Sequence, residues 1–327
     1  MTGADDVVLD VRGLSVNYRV VDASGRPQLL HAVEDVSFSV MRSRTLGIVG
    51  ESGSGKSSIA RALLRLVPAS AGTARFRGTD LLALAGKELQ ATRRNLQMIF
   101  QDPLASLDPR MTVEEIIGEP LRVHLPTRSR ADRRAAILSM MERVGLAREH
   151  LRRFPHEFSG GQAQRIGIAR ALILEPELVV CDEPLSALDV SIKSQISNLL
   201  KDLQREFGLT LLFISHDLAS VRFSCDEVLV LYLGRVMEIA PRDQLFTVPR
   251  HPYTRALLDA VPIPDPRAAR LRRVRPLEGE LPSALAPPSG CVFRTRCPIA
   301  TERCARELPQ LRSIGSTLVA CHHARED

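Results

Sequence analysis

Short apolar runs alternate with helix-like segments along most of the chain. The runs LGIV (46–49) and LVVC (178–181) are continuously apolar, which suits strands buried on both faces of a parallel sheet. Helical patterns follow over 56–66 and 190–207, and this alternation predicts an α/β fold. The other runs predicted to form strands are VVLDV (7–11), VSFSV (36–40), LQMIF (96–100), TLLFIS (210–215) and EVLVLYLG (227–234).

Two stretches depart from this alternation. Between Lys87 and Pro176, strand-like runs largely stop after LQMIF and helix-like segments such as 128–146 dominate, which predicts a helical insertion. After Pro249 the chain is rich in loops and has too few periodic apolar residues for an independent core, a deficit for which a metal would compensate. The predicted parts are a core over 1–86 and 176–248, a helical subdomain over 87–175, and a C-terminal extension over 249–327.

Composition narrows the class of protein only slightly. Of the 327 residues, 44% are hydrophobic and 25% are charged, as in ordinary globular proteins. The net charge of +6 has two interpretations. It favours binding of polyanions, or it reflects an arginine-rich composition that a biased genome produces. Because the arginines are dispersed and only 4% of residues are aromatic, no basic stripe with stacking platforms indicates nucleic-acid binding. With no signal-like N-terminus and no run near the ~18 apolar residues of a membrane span, we expect a soluble, cytoplasmic chain that can dock on a membrane protein.

A phosphate-binding loop is predicted at GESGSGKS (50–57), which follows the strand LGIV and opens a helix. The segment fits the motif G-x-x-x-x-G-K-S/T in the strand, loop and helix context that confirms it. Its glycines let the backbone fold around a phosphate, and successive N–H groups form a nest for the anion. Lys56 is expected to place its charge on the β- and γ-phosphates, and the Ser57 hydroxyl is expected to ligate Mg²⁺.

Polar residues stand at the ends of three other predicted strands. Asp182 and Glu183 follow LVVC, Gln101 follows LQMIF and His216 follows TLLFIS. Taken alone, each is also typical of a structural or solvated residue, but the carboxyl ends of parallel strands gather at the ligand crevice. Asp182 is therefore the candidate Mg²⁺ ligand, through water, and Glu183 the candidate base for the attacking water. Gln101 is expected to hold the Mg²⁺ or the water, and His216 to hydrogen-bond a γ-phosphate.

A second candidate anion site is FSGGQAQRIGIAR (158–170), which opens an amphipathic helix. Ser159 can cap this helix, and Gly160 and Gly161 let the backbone approach an anion closely. The free N–H groups at a helix start form a ready anion site. On local grounds alone, a glycine-rich start of this kind is usually only a helix start.

Together these motifs resemble the ATP-binding subunit of ABC transporters. The elements GESGSGKS, Gln101, FSGGQ, CDEPLSALD and ISHD occur in that order and at the family's spacing. The resemblance implies a RecA-like P-loop NTPase core of the α/β class with a helical subdomain, and an ATPase that uses ATP and Mg²⁺. The residues it assigns to ATP binding are Tyr18, Gly50, Glu51, Ser52, Gly53, Ser54, Gly55, Lys56, Ser57 and Ser58.

The resemblance also implies a dimer in which two ATP molecules are sandwiched head to tail. Tyr18 stands where the family places an aromatic ring on adenine, and Asp189 matches a residue that crosses the dimer interface. Phe158 replaces the more frequent leucine, which is expected to change packing and not chemistry. The residues expected to cover the ATP held by the partner subunit are Ser159, Gly160, Gly161 and Gln162.

The C-terminal part resembles the tail of oligopeptide/dipeptide permease ATPases, a tail that nickel-uptake relatives share. The similar segments are HPYTRALLDAVP (251–262) and 278–304, and the chain looks like the F-type partner of a heterodimer with a D-type paralogue. The resemblance implies a motor subunit for peptide import, peripheral on the cytoplasmic face of the membrane. Two transmembrane permease subunits and an extracytoplasmic solute-binding protein are the other implied partners. The alternatives are import of nickel or another small solute, or a non-transport ABC ATPase acting on DNA or ribosomes.

Four of the six cysteines crowd into the C-terminal extension with the spacing C-x5-C-x6-C-x16-C. Structural zinc sites usually contain a close C-x2–4-C pair, and this spacing has none. Four thiolates on wider loops suit a 4Fe–4S cluster, which we predict as a structural clip for a tail with little core. Zn²⁺, reduced thiols or an oxidised pair are the alternatives, with His322 and His323 as substitute ligands. The predicted cluster ligands are Cys291, Cys297, Cys304 and Cys321.

Overall fold

The computed structural model describes residues 6–21, 25–261 and 279–325. The predicted loop-rich stretch after Pro249 includes residues 262–278, which lie outside the described residues. The strands are β1 (Val7–Val21), β2 (Pro27–Met41), β3 (Thr45–Val49), β4 (Ala71–Phe76), β5 (Thr79–Asp80), β6 (Leu96–Ile99), β7 (Leu178–Asp182), β8 (Thr210–Ile214), β9 (Glu227–Tyr232), β10 (Arg235–Pro241), β11 (Arg312–Ile314) and β12 (Thr317–Val319). The helices are α1 (Lys56–Leu63), α2 (Gly86–Arg93), α3 (Val113–His124), α4 (Arg130–Arg143), α5 (Gly160–Leu172), α6 (Val190–Phe207), α7 (Leu218–Ser224), α8 (Arg242–Thr247), α9 (Pro252–Asp259) and α10 (Glu302–Arg306).

The chain forms two compact units, each made of several segments. The described residues of the first unit fall within Met1–Leu9, Ser39–Thr45 and Phe76–Ser215, and those of the second unit within Asp10–Phe38, Leu46–Arg75 and His216–Asp327. The three functional parts predicted from the sequence divide the chain differently, and their boundaries stay a prediction.

The first unit contains the parallel strands β6, β7 and β8. Strand β7 lies between the other two, with Cys181 opposite Ile99 on one side and Phe213 on the other. Every residue of β7 and β8 is buried, as their continuous apolar sequence predicts for strands covered on both faces. Asp182 is the last residue of β7 and is itself buried. Its carboxylate therefore lies at the carboxyl end of the strands.

Helices α3, α4 and α5 of the first unit occupy the stretch where helix-like patterns predominate. Thr112 and Glu115 form a capping box at the start of α3, which satisfies two of its N-terminal N–H groups. The side of α3 that faces α4 carries Gly118, where a Cβ would lie 2.9 Å from Ile137 Cδ1. The absence of a side chain there lets α3 and α4 approach closely. Among the described residues, no helix has both the length and the apolar composition needed to cross a membrane.

The second unit contains strands in the order β3-β9-β10-β12-β11 and, separately, β2-β1-β4. Strand β3 runs parallel to β9, and β10 is antiparallel to both β9 and β12. The β9–β10 connection has positive φ values at Leu233 and Gly234, 45° and 76°. A Cβ at Gly234 would lie 2.8 Å from the Ala32 carbonyl oxygen, so this tight turn requires glycine at that position.

The C-terminal extension acquires its core by packing on strands of the second unit. The rings of Tyr253 and Phe293 lie 5.3 Å apart, and each also contacts the ring of Tyr232 in β9, at 4.7 and 5.3 Å. All three side chains are fully buried, and edge-to-face aromatic packing of this kind adds to the hydrophobic stabilisation. The extension therefore has a core that it shares with β9, which the sequence-based expectation of too few apolar residues did not include.

Candidate functional site

The phosphate-binding loop lies in the second unit, between β3 and α1, as predicted. Gly50 and Gly55 have φ values of 157° and 105°. A Cβ at Gly50 would lie 2.1 Å from the Leu231 carbonyl oxygen, and a Cβ at Gly55 would lie 2.2 Å from that of Ala32. Because backbone oxygens cannot give way as flexible side chains do, any larger residue at these positions would distort the loop.

Lys56 is buried and its ammonium group lies on the loop itself. Its Nζ donates to the carbonyl oxygens of Gly50 and Glu51, both at 2.9 Å, and approaches Ser54 Oγ at 3.4 Å. The first turn of α1 contains no acidic residue, so no carboxylate there offsets the partial positive charge of the helix start. The loop thus presents a fixed cation and a helix N-terminus, which fits the phosphates of a nucleotide.

Tyr18 and Ser58, both predicted to bind ATP, are in direct contact in the second unit. The Tyr18 hydroxyl donates to Ser58 Oγ across 3.2 Å, and the ring is half-buried. This bond ties the ring to the first turn of α1. Such a tether fits a ring that stacks on the adenine base, which stays a prediction.

The first unit brings Gln101 and Glu183 together. Gln101 Nε2 donates to Glu183 Oε2 across 3.1 Å. Glu183 has a φ of 45°, and its N–H donates to the Ile214 carbonyl oxygen at 2.9 Å. A glutamate in the left-handed region is uncommon and costs of order 1–3 kcal/mol, and such strain clusters at functional sites. Asp182, one residue earlier, is buried at the end of β7.

Ser159 is the N-cap of α5, as predicted. The Ser159 and Gln162 side chains form a capping box, with Gln162 N donating to Ser159 Oγ at 3.4 Å and Ser159 N to Gln162 Oε1 at 3.1 Å. Gly161 lies against the start of α6, and a Cβ at this position would come within 2.7 Å of Ile192 Cγ2. A larger residue at Gly161 would therefore require Ile192 to shift.

Asp189 and His216 are both exposed. Asp189 is the N-cap residue of α6 and makes no side-chain cap bond, and Val190 beside it is 82% exposed. His216 directly follows Ser215, at the point where the chain passes from the first unit to the second. The catalytic role of His216 and the interface role of Asp189 stay predictions.

Comparison with known proteins decides the family. Residues 33–186 match the family described as "ABC transporter", and residues 237–304 match "Oligopeptide/dipeptide transporter, C-terminal region". The chain is 53% identical over 319 residues to the oligopeptide transport ATP-binding protein OppF of Salmonella typhimurium, with 96% of each chain covered. The chain belongs to the ABC transporter ATP-binding subunits of the oligopeptide/dipeptide type. It is accordingly an ATPase, with ATP and Mg²⁺ as its nucleotide and cation.

Other relatives and solved ABC cassettes agree with this assignment. A putative peptide import ATP-binding protein of Brucella ovis is 52% identical over 307 residues, covering 94% of each chain. A dimeric ATP-binding cassette in a post-hydrolysis state, bound to ADP and Pi, superposes with a TM-score of 0.65 at 27% identity, covering 72% of this chain and 98% of its own. The cbiO1 protein of Clostridium perfringens, part of the ABC transporter complex cbiONQ, gives a TM-score of 0.64 at 27% identity over 74% of this chain and 92% of its own. These likenesses confirm the predicted mixed α/β ABC ATPase fold.

The iron–sulfur prediction for this ABC subunit was wrong. In the part of the chain that the structure describes, which includes all four cysteines of the extension, no group of three or more His, Cys, Asp or Glu side chains could hold a metal ion. This finding overturns the 4Fe–4S cluster and gives no support to zinc. The predicted ligands Cys291, Cys297, Cys304 and Cys321 are free thiols.

The thiol of Cys291 is buried and that of Cys297 is half-buried. Burial raises the pKa of Cys291 to about 11 and raises the pKa of Cys297, and the neighbouring thiols act in the same direction. Cys304 Sγ lies 3.5 Å from His323 Nε2, which lies 3.0 Å from Thr301 Oγ1. The spacing of the cysteines along the sequence did not reveal this contact.

Sequence reasoning missed two residues of the ABC subunit that contact the phosphate loop. Arg296 and Tyr253, from the C-terminal extension, both bond to Glu51. Tyr253 belongs to the HPYT segment that carries the likeness to permease ATPases, so a signal existed but no role was attached to it. Arg296 lies between two of the clustered cysteines, and nothing in the spacing singled it out.

Proposed function

We propose that this chain is the ATP-hydrolysing motor of an importer that takes up oligopeptides or dipeptides. The names of its relatives and the match of its C-terminal region support peptides as the cargo. The observation that carries the motor role is the position of the Glu183 carboxylate. Glu183 directly follows the buried Asp182, and its carboxylate accepts a hydrogen bond from the Gln101 amide. That arrangement fits a base and a metal ligand at the end of one strand.

The phosphate loop would hold the nucleotide through charge and backbone N–H groups. Lys56 would neutralise the β- and γ-phosphates, with Ser57, Gln101 and Asp182 as the ligands of Mg²⁺. Hydroxyl, amide and carboxylate oxygens are the ligands that this hard cation prefers. When bound, the cation would offset charge that develops on the transferred phosphoryl group.

Hydrolysis would depend on positioning more than on covalent chemistry. Glu183 would orient and polarise the attacking water, and the hydrogen bond from Gln101 would hold the Glu183 carboxylate in one orientation. His216 would hydrogen-bond the γ-phosphate. Tyr18 would place the adenine through its ring.

A second ATPase subunit would complete each site. Ser159, Gly160, Gly161 and Gln162 would cover the ATP bound to the partner's phosphate loop, and Asp189 would cross the interface. The dimeric state of the ADP-bound and Pi-bound cassette supports such a pair. A D-type paralogue is the partner we propose, because the relatives are F-type subunits.

The remaining partners would be two transmembrane permease subunits and an extracytoplasmic solute-binding protein. The chain would lie peripherally on the cytoplasmic face of the membrane, with its helical subdomain against the permease subunits. Nucleic acid has no place in this assembly.

Reconstitution tests this proposal. The chain, its paralogue and the two permease subunits are placed in proteoliposomes with ATP inside and the solute-binding protein outside. We expect uptake of labelled peptide that requires Mg²⁺ and ATP and is abolished by Lys56→Ala. Uptake of nickel in place of peptide would overturn the cargo, and ATP hydrolysis that survives Lys56→Ala would overturn the assigned site.

A further inference from the structure

One residue of the phosphate loop is bound by the C-terminal extension through its side chain. Arg296 Nη1 lies 2.8 and 3.1 Å from the two carboxylate oxygens of Glu51. The Arg296 side chain is only 8% exposed and that of Glu51 is 25% exposed. Solvent screening, which makes exposed ion pairs weak, is therefore reduced for this pair.

The same residue is also bound through its backbone. The N–H of Glu51 donates to the Tyr253 hydroxyl at 3.0 Å, and the carbonyl oxygen of Glu51 accepts from Lys56 Nζ at 2.9 Å. A continuous series of bonds thus leads from the extension through Glu51 to the lysine that is expected to bind phosphate.

The extension holds Tyr253 in a fixed position. His251 caps α9, with its Nδ1 accepting from Tyr253 N at 3.0 Å, and Pro252 is the first residue of the helix. The Tyr253 ring is fully buried between Tyr232 and Phe293. Burial raises the pKa of Tyr253, so the hydroxyl stays neutral and can accept the Glu51 N–H at any pH near neutrality.

The Glu51 carboxylate creates an electrostatic problem that Arg296 solves. A negative charge on a loop that binds a triphosphate repels the ligand. Burial acts to lower the pKa of Arg296, but the interactions with Glu51 and Tyr232 together outweigh it and the pKa is raised, so the guanidinium stays charged. The ion pair therefore cancels the repulsive charge at the loop.

We propose that Arg296 and Tyr253 are positioning residues for the phosphate loop, through which the C-terminal extension sets the affinity for ATP. This inference rests on the proposed function of the loop as an ATP site. Arg296 neutralises Glu51 and Tyr253 fixes its backbone, so neither residue needs to touch the nucleotide.

The test is equilibrium binding of Mg²⁺–ATP to the full-length chain, with ATPase kinetics in the same samples. We expect Arg296→Gln to raise the Kd and KM about tenfold, equal to about 1.4 kcal/mol, with little change in kcat. Tyr253→Phe keeps the ring and removes only the acceptor, and we expect about a threefold rise in Kd, in line with a neutral hydrogen bond. Arg294→Gln is the matched control, because Arg294 Nε donates to Ser289 O at 2.9 Å within the extension, and its Kd should equal that of the wild type.

A rescue experiment separates charge compensation from damage to the fold. Adding Glu51→Gln to Arg296→Gln removes the uncompensated carboxylate, so the Kd should return toward that of the wild type. High salt should reduce the defect of the single variant, because salt screens the repulsion. A double variant no better than Arg296→Gln, or single variants with wild-type Kd, would overturn the inference. A wild-type chain that binds no ATP would instead overturn the proposed function.

Discussion

Gln101 donates its side-chain amide to the Glu183 carboxylate across 3.1 Å. The donor comes two residues after the end of β6 and the acceptor directly after β7, two strands that pair in parallel. The hydrogen bond fixes the orientation of the Glu183 carboxylate. A carboxylate held in this way is placed to polarise a water molecule.

Replacement of Glu183 by Gln removes the base while retaining the shape of the side chain. We expect Mg²⁺-dependent phosphate release to fall by about a hundredfold or more, the range for loss of general base catalysis. ATP binding should stay nearly unchanged, because Lys56 and the N–H groups of the phosphate loop, and not Glu183, would hold the phosphates. Phosphate release and equilibrium nucleotide binding are the two measurements.

Glu142→Gln serves as the control for Glu183→Gln. Glu142 is 73% exposed and its ion pair with Arg148 is 3.7 Å long, so removal of this charge should leave both measurements unchanged. Turnover like that of the wild type in Glu183→Gln would reject Glu183 as the base.

Ser159→Arg tests whether the start of α5 serves the partner's nucleotide. The change places a long cation at the cap, where it opposes the helix dipole and fills the space over the glycines. In a dimer that carries it in both chains, hydrolysis should fall by about a hundredfold, as when a transition-state donor is lost. Nucleotide binding to the isolated chain should be spared.

Ser129→Arg is the matched control for this cap. Ser129 is the N-cap of α4, and its Oγ accepts from Asp132 N at 3.1 Å. Both variants lose a cap worth about 1 kcal/mol of stability, so both should lower the melting temperature to a similar degree. Equal ATPase activity in the two dimers would show that Ser159 acts only as a cap.

Local sequence signals were sufficient for the strands that build the site. Strands β3, β7 and β8 were recognisable because burial on both faces makes them continuously apolar. Strands β1 and β2 extend well beyond the predicted 7–11 and 36–40, to 15 residues each. Their additional residues include many polar side chains, which an apolar pattern does not register.

The C-terminal extension could not be derived in this way because its stabilising contacts are distant in sequence. Tyr232, Tyr253 and Phe293 form one buried cluster, yet each lies in a different segment with its own local pattern. Because no local sequence pattern revealed the aromatic cluster, the tail was interpreted as having little core of its own. Its four cysteines therefore suggested a metal. The pairing of Arg296 with Glu51 likewise joins residues 245 positions apart.

Phe293→Ala tests whether the aromatic cluster stabilises the extension. Phe293 is fully buried against Tyr232, Tyr253 and His251. Loss of a buried phenylalanine leaves a cavity and typically costs about 3–5 kcal/mol, to be measured by urea unfolding.

Leu318→Ala is the control for this cluster. Leu318 lies in β12 of the same extension and is 39% exposed. Its replacement should change the free energy of unfolding far less than that of Phe293. Equal losses in the two variants would show that the cluster is not the main source of stability.

His251 gives the extension a pH-dependent stability. Its imidazole is fully buried, and burial lowers its pKa to about 3, well below the ~6.5 of an unfolded histidine. The folded state therefore holds the neutral ring. The contribution of His251 to folding stability is complete above pH ~6.5 and is lost as the pH falls toward 3. Glu238, which accepts the His251 N–H at 2.9 Å, has its pKa raised by burial, so its contribution has the opposite sign.

We expect His251→Asn to reduce the loss of stability on acidification. Asparagine can still cap α9 but does not titrate, so the variant keeps the contribution of Glu238 and lacks that of the imidazole. Between pH 7 and 5, the wild type should lose about 2 kcal/mol more than the variant, because its unfolded state takes up a proton that the folded state excludes. Urea unfolding of both proteins at pH 7, 6 and 5 measures the difference. Parallel pH dependences would mean that His251 is accessible to protons in the folded chain, and that its burial does not control the acid stability of the extension.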